Sequence, residues 1–232
     1  MDIQKNIINI RKQIYSSAIE CFRSPYNIQL LAVTKTRSYT DILKAIEVGQ
    51  LQFGESYVQE GLKKIRYFSY KKDLIWHFIG SLQSNKSRFI AEYFDWFHAL
   101  DREKIARFLN NYRSGNKNKL NVLIQINIDD KSKKSGVLLE ELDLLAEKVS
   151  LMPNLLLRGL MVIPSLERIY EDQCNVFRIA ENAFKLLQEN YSTVDSLSMG
   201  MSGDINAAIR CGSTIIRVGS SIFGNRSVYK KG

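Results

Sequence analysis

The strongest constraint on the fold is an alternation. Eight short apolar runs, rich in β-branched and aromatic residues and too brief for helices, are separated by segments whose apolar positions recur at helical spacing. The runs are Ile28–Lys35, Leu51–Glu55, Leu74–Gly80, Trp96–Asp101, Leu120–Ile128, Leu155–Ile163, Ser196–Met201 and Thr214–Phe223. Before them stands a stripe of Ile3, Ile7, Ile10, Ile14 and Ala18, the 3.6-residue period of an amphipathic helix. Other helix candidates are Tyr39–Val48, with Ser38 and Asp41 at capping-box spacing and Gly49 as a left-handed stop, and the stripe Tyr170, Cys174, Phe177, Phe184, Leu187. Strands alternating with helices need crossover connections, which give a parallel sheet with helices outside. Eight of each predict an α/β fold, a single closed (β/α)8 TIM barrel over residues 1–232 with an added N-terminal helix. An open doubly wound sheet is the alternative, because closure is not written in the pattern.

Composition narrows the function classes. Thirty-three Lys+Arg against 24 Asp+Glu leave a net charge of +9, which favours anionic partners. The densest clusters, Lys71-Lys72, Lys131–Lys134 and Lys230-Lys231, do not form a basic arm, so a nucleic-acid binder rests on net charge alone. Cys21, Cys174 and Cys211 are odd in number and far apart, which argues against a disulfide framework and for a reducing compartment. The N-terminus lacks the uninterrupted apolar centre of a secretory signal, and no run approaches a membrane span. A cytoplasmic protein with no membrane partner is expected.

In a parallel barrel, working residues sit at the C-terminal ends of strands and in the loops that follow. Alternation in LLAVTK puts Leu31, Val33 and Lys35 on one face, so an inward first strand brings Lys35 to the mouth of the core. Partial desolvation there makes an amine a nucleophile toward an aldehyde, although most lysines ending a strand simply face water. The seventh run passes through Ser198-Met199-Gly200-Met201-Ser202-Gly203-Asp204 into a helix, Ile205–Cys211. That is either an anion site at a helix start or an ordinary βα turn capped by Ser202 or Asp204. In the eighth run Arg217 interrupts an apolar strand and needs a buried acceptor, and Gly219-Ser220 follow with further donors. One ligand satisfies all three features: pyridoxal 5′-phosphate (PLP), with its aldehyde on Lys35, its phosphate between the two loops and its ring nitrogen on Arg217. An arginine there favours the unprotonated ring nitrogen and a feeble electron sink. Gln125 and Asn127 share a face and either line the mouth or are satisfied core amides. His77 and His98 lack a carboxylate at ligand spacing, so no metal site is expected.

Ordered blocks of the chain carry a wider resemblance. LLAVTKT around Lys35, QFGESYVQEGLKKI, WHFIGSLQSNK, NVLIQINI, KSG at Lys134–Gly136, RGLMVI and LSMGMSGDINAAIRCGSTIIRVGSSIFGNR resemble the pyridoxal phosphate homeostasis proteins. The resemblance implies an alanine racemase N-terminal domain-like barrel holding PLP as an internal aldimine on Lys35, with Ser198, Ser202, Arg217, Gly219 and Ser220 as further cofactor-binding residues. It implies a monomer that manages the PLP supply, delivers it to PLP-dependent apoenzymes and has no committed catalytic residue. Three positions depart from the family pattern: Ser56 replaces an asparagine, Ser38 a proline and Gly203 an acidic residue.

The competing reading is a PLP-dependent amino-acid racemase. Racemisation needs an acid/base group on each face of a planar intermediate, and Lys35 supplies one. The opposite base of alanine racemases comes from a second domain that is not expected in a chain ending at Gly232, which leaves a tyrosine of the barrel itself as the route to such chemistry.

Overall fold

The computed structural model describes residues 2–113, 115, 118–128, 135–164 and 169–224. The clusters Lys131–Lys134 and Lys230-Lys231, and the Asn225-Arg226 end of the last block, lie outside the described residues.

Each apolar run yields a strand: β1 Gln29–Val33, β2 Gln52–Glu55, β3 Ile75–Phe78, β4 Trp96–Leu100, β5 Leu120–Ile126, β6 Leu155–Val162, β7 Ser196–Ser198 and β8 Ile215–Val218. They pair in sequence order, all parallel, and close on themselves, which decides the question the sequence left open. Ala32 of β1 lies beside Phe53 of β2 on one side and Val218 of β8 on the other. The helices are α1 Ile3–Glu20, α2 Tyr39–Glu47, α3 Val58–Tyr67, α4 Ser87–Tyr93, α5 Glu103–Tyr112, α6 Leu142–Ser150, α7 Tyr170–Asn190, α8 Ile205–Arg210 and α9 Ser220–Phe223.

The expected stripes are the buried ones. Ile3, Ile7, Ile10, Ile14 and Ala18 seat α1 against α2, α8 and α9, while Cys174, Phe177, Phe184 and Leu187 seat α7; Tyr170, the first member of that stripe, is exposed instead. Ser38 Oγ accepts the Asp41 amide at 3.1 Å and Asp41 Oδ2 accepts the Ser38 amide at 3.3 Å, closing the capping box, and Gly49 ends the helix at φ +74°. The eighth run is shorter than its apolar length suggests. Gly219 turns the chain (φ −119°, ψ −71°), so Ser220–Phe223 becomes a helical turn instead of strand.

Large side chains such as Phe53, Phe78 and Phe97 fill the layer between sheet and helices. The strand register sets Leu31 beside Arg217 and Val33 beside Gly54, which in turn lies beside His77. Toward the N-terminal end of the barrel, the Arg158 guanidinium sits 4.8 Å from the Trp96 ring, bonded to Asp195 and Asn121. No helix among the described residues is long and apolar enough to cross a membrane.

Candidate functional site

At the C-terminal end of the strands lies a cavity of about 430 Å³, lined by Lys35, Ser56, Ser202, Asp204, Arg217, Gly219 and Ser220 among others. It collects Lys35 with the two loops that the sequence singled out. A cleft of similar size, about 460 Å³, lies at the other end of the barrel around Arg11, Tyr26 and Gln50. There Arg11 spends its guanidinium on Val48 O, Gly49 O and Gln50 Oε1.

Lys35 is partly buried, two residues past Val33, where β1 and the inward face carried by Leu31 and Val33 end. The residues on either side of it are clamped. Lys64, buried, donates to Thr34 O at 2.6 Å, Glu55 Oε1 at 2.8 Å and Glu60 Oε1 at 2.6 Å, using all three ammonium hydrogens. Thr34 Oγ1 donates to Glu55 Oε1 at 2.6 Å, and the Thr36 amide donates to Glu60 Oε1 at 2.6 Å. Thr36 has φ +64°, a left-handed backbone that a β-branched residue adopts only where its surroundings enforce it. Burial raises the Glu55 carboxyl above its usual range, against the pull of Lys64. Composition gave no sign of this clamp, because Glu60 and Lys64 read as an ordinary helical i,i+4 pair.

Arg217 is buried, and its guanidinium is largely spoken for. Nη1 donates to Ser198 O at 2.6 Å and Ser198 Oγ at 2.8 Å, and Nη2 donates to Val162 O at 2.8 Å. Nε–H and one Nη2 hydrogen have no protein acceptor among the described residues, on a side chain that borders the cavity. Burial pulls the group down to about 10, so it stays charged at neutral pH. Ser198 is fully buried, lies outside the cavity lining and touches Arg217 and His98, because β7 points it inward beneath the arginine.

The two loops meet. Ser202 Oγ and Ser220 Oγ are 3.3 Å apart, so one anion can contact both. Asp204 is the N-cap residue of α8, but its carboxylate folds back to accept the Met201 amide at 2.5 Å. Burial raises it above its usual range, so an anionic ligand beside it meets a carboxyl already disposed to bind a proton.

Other expectations resolve simply. Gln125 is a satisfied core amide, donating to Ser135 O at 3.0 Å, and Asn127 is likewise buried away from the cavity. Ser56 does line the cavity, so the departure from asparagine falls at the site itself. Arg37, which the sequence did not single out, also lines it and donates to Gly224 O at 2.5 Å, tying the β1 loop to the end of α9.

The residues fit PLP. An amine, an inward guanidinium with unspent donors and a paired-hydroxyl loop edge match an aldehyde, a ring-nitrogen acceptor and a phosphate, and the volume is that of a small-ligand pocket.

Comparison with known proteins agrees. Residues 15–227 match the family described as "Alanine racemase, N-terminal domain". The pyridoxal phosphate homeostasis protein of Escherichia coli (strain K12) is 52% identical over 232 residues, covering 99% of each chain. The structure of PipY from Synechococcus elongatus PCC7942 with PLP bound superposes with a TM-score of 0.84 at 31% identity, over 96% of this chain and 100% of that one. Alanine racemase from Corynebacterium glutamicum shares the fold, with a TM-score of 0.70 at 14% identity over 100% of this chain and 62% of that one.

Proposed function

Because the chain belongs to the pyridoxal phosphate homeostasis family, within the alanine racemase N-terminal domain fold, we propose that it binds PLP at the C-terminal mouth of the barrel and serves PLP homeostasis. The observation that carries the reading is the convergence on one cavity of Lys35, Arg217, Ser202 and Ser220, from β1, β8 and the loops after β7 and β8.

Bound there, PLP supplies an aldehyde on an aromatic ring. Lys35 would be the amine that holds the cofactor at its aldehyde end. Arg217 presents its unspent N–H donors to the ring nitrogen and, being charged, favours the nitrogen as an acceptor. Ser202, Ser220 and the backbone from Gly219 hold the phosphate, and Arg37 fixes the loop edge from outside. The clamp on Thr34 and Thr36 holds the Lys35 backbone in one place, which lowers the ordering cost of capture.

The racemase reading is disfavoured by the lining itself. Its titratable groups, among the described residues, are Lys35, Arg37, Asp204 and Arg217, with no tyrosine. Asp204, the one carboxyl, is engaged with the Met201 amide. We read the protein as a cytoplasmic monomer that hands PLP to apoenzymes. The test is spectroscopic: purified protein loaded with PLP is expected to absorb in the visible, and Lys35→Ala to lose that band. Persistence of the band in Lys35→Ala, or salt-sensitive nucleic-acid binding in place of PLP binding, overturns the reading.

A further inference from the structure

Behind Arg217 runs a chain of polar side chains for which PLP binding gives no reason. Ser198 Oγ, which accepts from Arg217 Nη1, lies 3.1 Å from His98 Nδ1, and His98 Nε2 lies 2.9 Å from His77 Nδ1. The chain crosses the barrel interior from β8 through β7 to β4 and β3, and every member is buried. His77 stacks on Trp96 with ring centres 5.3 Å apart.

The direction of the hydrogen bonds follows from the arginine. A guanidinium only donates, so Ser198 Oγ must accept from it. The hydroxyl hydrogen then has one acceptor within reach among the described residues, His98 Nδ1. That places the His98 proton on Nε2, donated to His77 Nδ1, and the His77 proton on Nε2, which has no partner among the described residues. The opposite direction leaves two buried groups unpaired, the Ser198 hydroxyl hydrogen and the His77 Nε2 lone pair, and is therefore the costlier arrangement. Burial holds both imidazoles neutral. Beyond burial, His77 and the charged Arg217 bear on His98, and Asp204 bears on Arg217, whereas burial alone acts on His77.

We propose that Ser198, His98 and His77 are positioning residues for Arg217, a one-way hydrogen-bond relay that pins its Nη1 from behind so that its unspent donors face the cavity. The proposal rests on the PLP-binding reading for its purpose, but not for its geometry, which exists without ligand.

The protein has two histidines, so nitrogen NMR of the ligand-free chain labelled at histidine resolves each ring without ambiguity. Both are expected neutral and protonated at Nε2, with no titration between pH 8 and pH 5. In His77→Phe, the remaining histidine is expected to keep its proton on Nε2, because the Ser198 hydroxyl still needs Nδ1 as its acceptor, and a proton moved to Nδ1 overturns the relay. Ser198→Ala is expected to weaken PLP binding about tenfold and to shift the visible band, with Ser198→Thr restoring both. Wild-type rings protonated at Nδ1, either ring titrating in that range, or a folded Ser198→Ala protein with wild-type PLP affinity and spectrum overturns the relay. If Ser198→Ala does not fold, the ring nitrogen that carries the His98 proton in His77→Phe decides. Failure of the wild-type protein to bind PLP sinks the function proposed above, whereas the NMR result judges the relay separately.

Discussion

The two buried histidines make the fold sensitive to mild acid, and the size of the effect can be worked out. His77 is pushed down to about 3 and His98 well below its ordinary value, both chiefly by burial. In the unfolded chain each titrates near 6.5. A depressed folded value means that the stability is present above pH 6.5 and lost as pH falls from there toward 3. At pH 5.0 the unfolded chain has gained about 2 kcal/mol from the His77 proton that the folded state does not bind, and His98 adds in the same direction. That is a sizeable part of a typical domain's margin of about 5–15 kcal/mol. Glu55, Asp101 and Asp204, all raised by burial, act oppositely: their contribution is present at low pH and lost as pH rises through their folded values. The net slope of the wild-type protein therefore mixes both signs, and a variant isolates one. His77→Phe keeps the ring stacked on Trp96 and removes one titrating group. Urea unfolding at pH 7.5 and pH 5.0 is expected to show a pH-dependent loss about 2 kcal/mol smaller in His77→Phe than in wild type. Equal losses in the two proteins would refute the claim that His77 stays neutral in the fold.

Other perturbations probe the remaining supports. Gly159→Ala places a Cβ 2.0 Å from Ser196 O at a residue with φ +140°, so a cost of about 3 kcal/mol or more is expected, lowering the melting temperature by roughly 10 °C; a melt within a degree of wild type contradicts this. Glu60→Ala removes the acceptor of the Thr36 amide and is expected to weaken PLP binding about tenfold, while Glu60→Gln stays close to wild type; equal titrations for the two variants would show that the clamp does not position Lys35. Ser202→Ala with Ser220→Ala is expected to lower affinity for PLP but leave that for pyridoxal, which lacks the phosphate, unchanged. A matched loss for both ligands would place the phosphate elsewhere.

Much of this molecule was legible because its signals are local. The period-2 runs and the 3.6-residue stripes name the strands and helices, and Lys35, Ser202, Arg217 and Ser220 stood out because each breaks an apolar pattern or sits in a small-residue turn after a strand. What sequence did not disclose depends on distant contacts. Barrel closure is the pairing of Leu31 with Arg217, residues at opposite ends of the chain. Ser198 sits behind the arginine, because β7 aims it into the barrel interior. The two histidines read as isolated core residues until the fold brought His77 Nδ1 within 2.9 Å of His98 Nε2. The clamp on Lys35 was hidden for the same reason: Thr36 reveals its left-handed backbone only in three dimensions.

The central claim is that Lys35 is the amine that captures the PLP aldehyde. Borohydride reduction of the PLP-loaded protein, followed by peptide mass spectrometry, tests it most directly. A pyridoxyl-phosphate mass added to the peptide at Lys35, and absent from Lys35→Ala, is the expected result. An adduct on another lysine, or no adduct on a protein that binds PLP, contradicts it.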